Sequence, residues 1–151
     1  RTAEGFGVKQ IVFSGYTPYP DLRLSNPQTT DSRLPHITEK LTAQIHKTAL
    51  GAETMLQFTY VADIHEWLLK NANDKHLPII ALEQSASSVA LDIFQPPDRF
   101  ALLLGEEVHG IEPDILARCD HIVEIPMRGA KESFNVSVAA GIALYGLCFP
   151  R

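Results

Sequence analysis

The chain has 151 residues, 45% hydrophobic and 21% charged, the balance of a soluble globular protein of one ordinary domain that can bury a real core. No apolar run approaches the roughly 18 residues that span a bilayer, and the opening RTAEGFGVKQ lacks the apolar stretch of a signal peptide, so no membrane partner is expected. Thirteen Lys+Arg against eighteen Asp+Glu give a formal charge of −5, which argues against gripping nucleic acid by bulk charge and leaves such contact to a local basic patch.

RTAEGF reads as the end of a helix, closed by Gly7, which can take the left-handed conformation favoured at such a terminus. The chain enters this segment directly at Arg1, the pattern of a piece trimmed from something longer. VKQIVFSG, β-branched and aromatic with a glycine stop, predicts a strand. YTPYPDLRLSNPQTTDSRLP holds four prolines and many turn formers, and predicts a surface loop of a length that is usually functional or mobile. A helical pattern runs from about Thr38 to Ala49, and MLQFTYV reads as the second strand. Asp63 can cap DIHEWLLKNAN, whose Ile64, Trp67 and Leu68 share one face, Trp67 reading as core. Strands follow at PIIALE and FALLLG; Pro113 suits the first turn of a short helix, PDILARC; HIVEIP is one more strand; and Asn135 opens the final helix. The almost wholly apolar IIAL and ALLL suggest a sheet covered on both sides. The expected class is α/β, with a mainly parallel sheet and helices on both faces.

Ligands of such sheets bind beyond the carboxyl ends of the strands. Three strand ends share one character, passing from apolar strand into a polar turn: ALEQS after Leu82, LLLGEEVHG after Leu104, and EIPMRG after Ile125. No GxGxxG follows a strand, no GK[ST] marks a P-loop, and no GxSxG elbow marks a hydrolase. The two cysteines, Cys119 and Cys148, have no CxxC or histidine-paired spacing, so neither a disulfide framework nor a metal site is expected, and a reducing, cytoplasmic setting fits best. His36, His46, His65, His76 and His121 are scattered without metal-ligand spacing, and His109 reads as surface. What remains is a pocket built from backbone at three loops together with Glu107, Ser133 and Asn135.

These residues resemble the SpoU (TrmH-like) branch of the SPOUT RNA methyltransferases. Its first motif, an asparagine followed by Arg-Thr-Ala and Phe-Gly-Val, is matched from the arginine onward by Arg1, Thr2, Ala3, Phe6, Gly7 and Val8; its asparagine and first strand would lie upstream of Arg1. Its second, a strand ending Gly-x-Glu-x-x-Gly, is matched by Gly105, Glu107 and Gly110. Its third is matched by Ile125, Pro126 and Met127, then Ser133, Asn135, Val136 and Ser137, with Phe134 where the family has leucine. KTALGAE is a weaker match to a Ser-x-Gly-Ala segment.

The resemblance implies a methyltransferase domain over residues 1–151 whose C-terminal segment threads a loop to form a deep trefoil knot. It implies S-adenosylmethionine held among the three loops by Leu82, Leu104, Gly105, Ile125, Met127, Ser133 and Phe134. It implies transfer of a methyl group to a ribose 2′-hydroxyl of tRNA or rRNA, with Arg1, Glu107, Ser133 and Asn135 as the catalytic set. Arg1 would bind a phosphate and steady developing alkoxide, Ser133 and Asn135 would orient the hydroxyl, and Glu107 would bond loop backbone or Asn135. It implies a homodimer through the C-terminal helix, where Ala139, Ala140, Gly141 and Gly146 let a second backbone approach. Independently, Val136, Val138, Ala139, Ala140, Ile142, Ala143, Leu144 and Leu147 surround nearly all of that helix, which therefore needs cover on more than one side, either from a partner or from its own core.

Read alone, the same residues have plainer roles. Glu107 and Asn135 serve as caps, and Ser133 serves as a turn residue. Lys9, Arg23, Arg33, Lys40, Lys47, Arg128 and Lys131 are candidates for RNA phosphate contact and equally for a solvated surface. Two other functions stay open: a catalytically silent RNA-binding or assembly module, and an enzyme on another nucleotide-like ligand.

Overall fold

The computed structural model describes residues 1–74 and 77–149; His76 lies outside them. Two compact units divide the chain, Arg1–Trp67 and Leu68–Arg151.

The first unit contains α1 (Thr2–Gly5), β1 (Gln10–Ser14), α2 (Pro35–Ala49) and β2 (Gln57–Val61), with short 3-10 turns at Leu22–Leu24 and Ala52–Thr54. β1 and β2 pair in parallel, Gln10 opposite Gln57 through Ser14 opposite Val61. α1 is the expected helix, with Gly7 at φ +69 beyond its end. α2 begins three residues before the expected Thr38. Pro35 sits in its first turn, where a missing N–H costs nothing, and Thr38 is instead buried, its hydroxyl donating to Leu34 O at 3.4 Å.

Residues 16–34 are a loop, as expected, but they are tied down. Tyr19 is buried between the Tyr60 ring, 4.4 Å away and stacked, and the Arg33 guanidinium, 3.6 Å from its centroid. Arg33 also donates to Tyr19 O at 2.8 Å, Pro20 O at 3.0 Å and Asp31 Oδ2 at 2.6 Å. It is thus spent inside the fold, while Arg23 pairs with Asp21 at 2.6 Å. Beyond α2, buried Glu53 accepts the Gly51 N–H at 3.0 Å and pairs with His46. That hydrogen bond from His46 holds the Glu53 carboxyl below its ordinary range.

α3 (Ile64–Asp74) carries the chain from the first unit into the second; Asp63 Oδ1 accepts the His65 N–H at 2.9 Å, as a cap should. Trp67 is half-buried.

The second unit holds β3 (Ile79–Leu82), β4 (Val89–Ala90), β5 (Ala101–Leu104), α4 (Pro113–Leu116), β6 (His121–Glu124) and α5 (Val136–Cys148). Its four strands form a sheet in the order β4-β6-β3-β5, every pair parallel. Ile79, Ile80 and Ala81 are all buried, and because successive strand residues point to opposite faces, β3 is covered on both. On one face Ile80 and Val123 pack with Leu91 and with Ala143 and Leu147 of α5. Gly146 serves this packing: a Cβ there would stand 3.0 Å from Leu91 Cγ, so its missing side chain admits Leu91 of the same unit, where a second backbone was expected.

Candidate functional site

The three strands whose ends look alike in sequence are neighbours in the sheet. β3 ends at Leu82, in register with Leu104 of β5 and Val123 of β6, so all three segments leave the sheet at one level. Their loops enclose a cavity of about 300 Å³, at the small end of the range for small-molecule sites. Leu82, Leu104 and Gly105 line it, as do Ile125 and Met127, and Ser133 and Phe134. Glu107 lines it too, its side chain exposed. Every residue of this lining belongs to the second unit.

Asn135 is not in the lining. It is the N-cap of α5, its Oδ1 accepting the Ser137 N–H at 2.9 Å and the Ser137 hydroxyl at 2.7 Å. The plainer reading of Asn135 as a cap is therefore its observed contact. Among the described residues it makes no hydrogen bond with Glu107. Arg1, exposed, is the N-cap of α1 in the first unit, where its carbonyl accepts the Gly5 N–H at 3.0 Å.

The loop after β5 is a tight hairpin. Glu106 N–H donates to Gly110 O and Gly110 N–H to Glu106 O, both at 3.2 Å. A Cβ on Gly105 would lie 2.5 Å from the Gly110 carbonyl carbon and 2.8 Å from its Cα, so the two glycines meet backbone to backbone. Val108 and His109 stand exposed at its tip, and His109 pairs with Glu106.

Several lining residues fall in or beside the expected strand ends but carry no role in the sequence reading: Glu83 and Gln84 after β3, and Glu106, Glu124 and Glu132. Glu124 Oε2 accepts the Ser88 hydroxyl at 2.7 Å. With Glu107 these carboxylates make the cavity strongly acidic, a surround that suits a cationic ligand and repels a free phosphate. The polar turn after IIAL marks Glu83 and Gln84 as part of a strand end, and nothing local marks their partners, Ile111 and Glu132, far along the chain.

A parallel sheet whose adjacent strands open their carboxyl ends into one cavity is the arrangement at which α/β proteins hold ligands. The chain matches the SpoU rRNA Methylase family over residues 31–145 and belongs to that family, the one its motifs resemble. It is 35% identical over 108 residues to the 23S rRNA (guanosine-2'-O-)-methyltransferase RlmB of Coxiella burnetii, a match that covers 70% of this chain and 41% of the relative. Among solved structures, the TrmH/SpoU tRNA modifying enzyme of A. aeolicus is 25% identical with a TM-score of 0.68, over 96% of this chain and 62% of that one. The AdoMet-bound rRNA methyltransferase of Sinorhizobium meliloti, 20% identical with a TM-score of 0.72 over 97% of this chain and 48% of that one, is a likeness of fold. The chain spans less than half the length of the curated relatives it matches first.

Proposed function

We propose that this chain is the methyltransferase domain of an S-adenosylmethionine-dependent enzyme that methylates a ribose 2′-hydroxyl of tRNA or rRNA. The observation that carries the reading is the meeting of the three strand-end loops in one cavity, within a chain of the SpoU family. The cavity suits the donor: Leu82, Leu104, Ile125 and Met127 offer apolar contact to a purine, and the surrounding carboxylates suit a molecule with a positive sulfur and an ammonium group. The AdoMet bound to the Sinorhizobium meliloti protein supports that choice of donor. The names of the Coxiella burnetii and A. aeolicus proteins support RNA as acceptor, and between them allow rRNA or tRNA.

When bound, the donor supplies a methyl group on a positively charged sulfur, already a good leaving group. The chain itself must set the ribose oxygen in line with that carbon, and positioning of this kind lowers a barrier by about 7–11 kcal/mol. With such a donor bound, its methyl group would pass from sulfur to the ribose oxygen, leaving a neutral thioether, and the hydroxyl proton would go to solvent, a phosphate or a neighbouring group. Arg1 is a poor base, since a guanidinium has a pKa above about 12, so its part is to bind the adjacent phosphate and steady charge growing on the oxygen. Ser133 lines the cavity, and the Asn135 amide nitrogen is not used by the α5 cap, so both can orient the hydroxyl. Glu107, expected to bond loop backbone or Asn135, makes neither hydrogen bond among the described residues; Glu106 is the carboxylate that ties this loop, accepting the His109 N–H at 2.6 Å, and the part left to Glu107 is its negative charge in the lining.

The same reading gives the chain a C-terminal deep trefoil knot and a homodimer through α5, in a cytoplasmic setting. Membership of the SpoU family, whose resemblance implies such a knot, supports the first. An exposed apolar stripe on α5 supports the second. The free thiols of Cys119 and Cys148 support the setting.

Calorimetry with S-adenosylmethionine, followed by transfer of labelled methyl to bulk RNA, tests the activity. Binding and transfer are expected. A folded protein that binds RNA but no donor would point to a silent RNA-binding module, and one that takes a different nucleotide would point to another enzyme.

A further inference from the structure

The residue pair that follows β3 makes contacts that neither the strand nor the family motifs account for. β3 lies between β5 and β6, and the two side chains beyond its end reach to the loops of both. Glu83 Oε2 accepts the Ile111 N–H at 2.9 Å while its Oε1 accepts the Gln84 N–H at 2.9 Å. Its carboxylate lies so close over Gly110 that any Cβ there would collide with it. Gln84 Nε2 donates to Glu132 O at 2.6 Å, next to Ser133.

We propose that Glu83 and Gln84 are the positioning residues of the pocket, a two-way clasp that fixes the loop after β5 and the segment before α5 at the spacing a bound methyl donor needs. The ligand's identity rests on the reading above; the clasp rests on the geometry alone. β3 is the most deeply buried strand of the sheet, whereas Glu107, Val108, His109 and residues 128–135 are exposed. Segments of that kind sample many arrangements, and a ligand that must order them binds more weakly. Two hydrogen bonds to residues anchored on a rigid strand remove that cost before the ligand arrives. Glutamate suits this position in particular, because a carboxylate accepts two N–H groups at once through separate oxygens, and an amide has only one acceptor oxygen. Gly110 is required for the same reason, since only its bare Cα lets the carboxylate sit there.

The test uses Glu83→Gln and Gln84→Glu. Gln84 is exposed, so the second variant leaves the core untouched while setting a carboxylate oxygen against the Glu132 carbonyl. Backbone hydrogen exchange without ligand should rise in residues 105–111 for Glu83→Gln and in 128–134 for Gln84→Glu. Affinity for S-adenosylhomocysteine, measured by calorimetry, should fall about tenfold or more in each, the worth of one lost charge-assisted or misdirected hydrogen bond. RNA affinity, and the melting temperature of Gln84→Glu, should stay at the wild-type value. Unchanged exchange in both variants overturns the clasp, and so does faster exchange with unchanged ligand affinity. Should the wild type bind no S-adenosyl compound at all, the donor reading falls, and the exchange measurement still decides the clasp by itself.

Discussion

Arg33 Nη2 donates to Asp31 Oδ2 at 2.6 Å while its guanidinium lies 3.6 Å from the centre of the Tyr19 ring. The two side chains are only 15% and 3% exposed, so water screens the pair little. The hydrogen bond from Arg33 lowers the Asp31 carboxyl from its ordinary 3.8 to about 2. A carboxyl depressed by folding stabilises the fold above its unfolded pKa and loses that contribution as pH falls through the folded one, here between about 4 and 2. Asp31→Asn should therefore be less stable than wild type by on the order of 1–2 kcal/mol at pH 6, with the gap closing by about pH 2. Urea unfolding of both proteins at pH 6 and across the acid range measures it; a gap that stays constant with pH would contradict the assignment.

Gly105→Ala probes the hairpin after β5. The added Cβ would meet the Gly110 backbone at 2.5 Å, and backbone cannot turn aside as the tip of a side chain can. The hairpin must open, at about 1–3 kcal/mol, the usual range for overpacking. Donor affinity should fall sharply in calorimetry while the circular dichroism of the sheet and helices stays native. Donor affinity equal to wild type would show that the hairpin does not shape the site.

What could be read in advance follows from how local each signal is. The five longer strands are short apolar runs bounded by turn formers, and each lies within its expected segment. β4 has only Val89 and Ala90, and it exists because Leu91 N–H and its neighbours find β6 to pair with, a contact some 30 residues away in sequence. α2 starts earlier than its pattern predicts because Pro35, which opens it, reads in sequence like the end of the loop before it. Arg33 resembled any other surface cation because its partners at Tyr19 and Pro20 are 14 and 13 residues away. The candidate pocket was visible as three similar strand ends, since the physics that ends a buried parallel strand is local. Glu83 and Gln84 were not visible as a clasp, because their meaning depends on loops 28 and 48 residues further on.

Asn135 carries two assignments that one pair of substitutions can separate. Its Oδ1 caps α5 through Ser137, and losing such a cap costs about 0.5–2 kcal/mol. Asn135→Ala should show that loss in thermal unfolding, whereas Asn135→Asp, which keeps the capping oxygen, should not. If the amide nitrogen orients the ribose hydroxyl, Asn135→Asp should be stable and poorly active, with unchanged donor affinity. Full activity in the Asp variant would reduce Asn135 to its cap.

α5 is apolar on two opposite sides. Ala143, Leu144 and Leu147 are buried, whereas Val138, Ile142, Tyr145 and Phe149 are 37–64% exposed and follow one another at spacings of four, three and four. At about 100° per residue these four fall within one narrow stripe, on the side away from the buried three. No charged residue interrupts Val136–Cys148, so water faces a continuous apolar strip where a solvated helix would carry lysines or glutamates. A second copy of the same helix is the partner our reading supplies, and its symmetry would set each stripe against its equal. Ile142→Glu should then turn a dimer into a monomer in analytical ultracentrifugation without unfolding it, because Ile142 takes no part in the cluster around Ile80 and Val123. A wild-type protein that sediments as a monomer at every concentration would remove α5 as a self-pairing face.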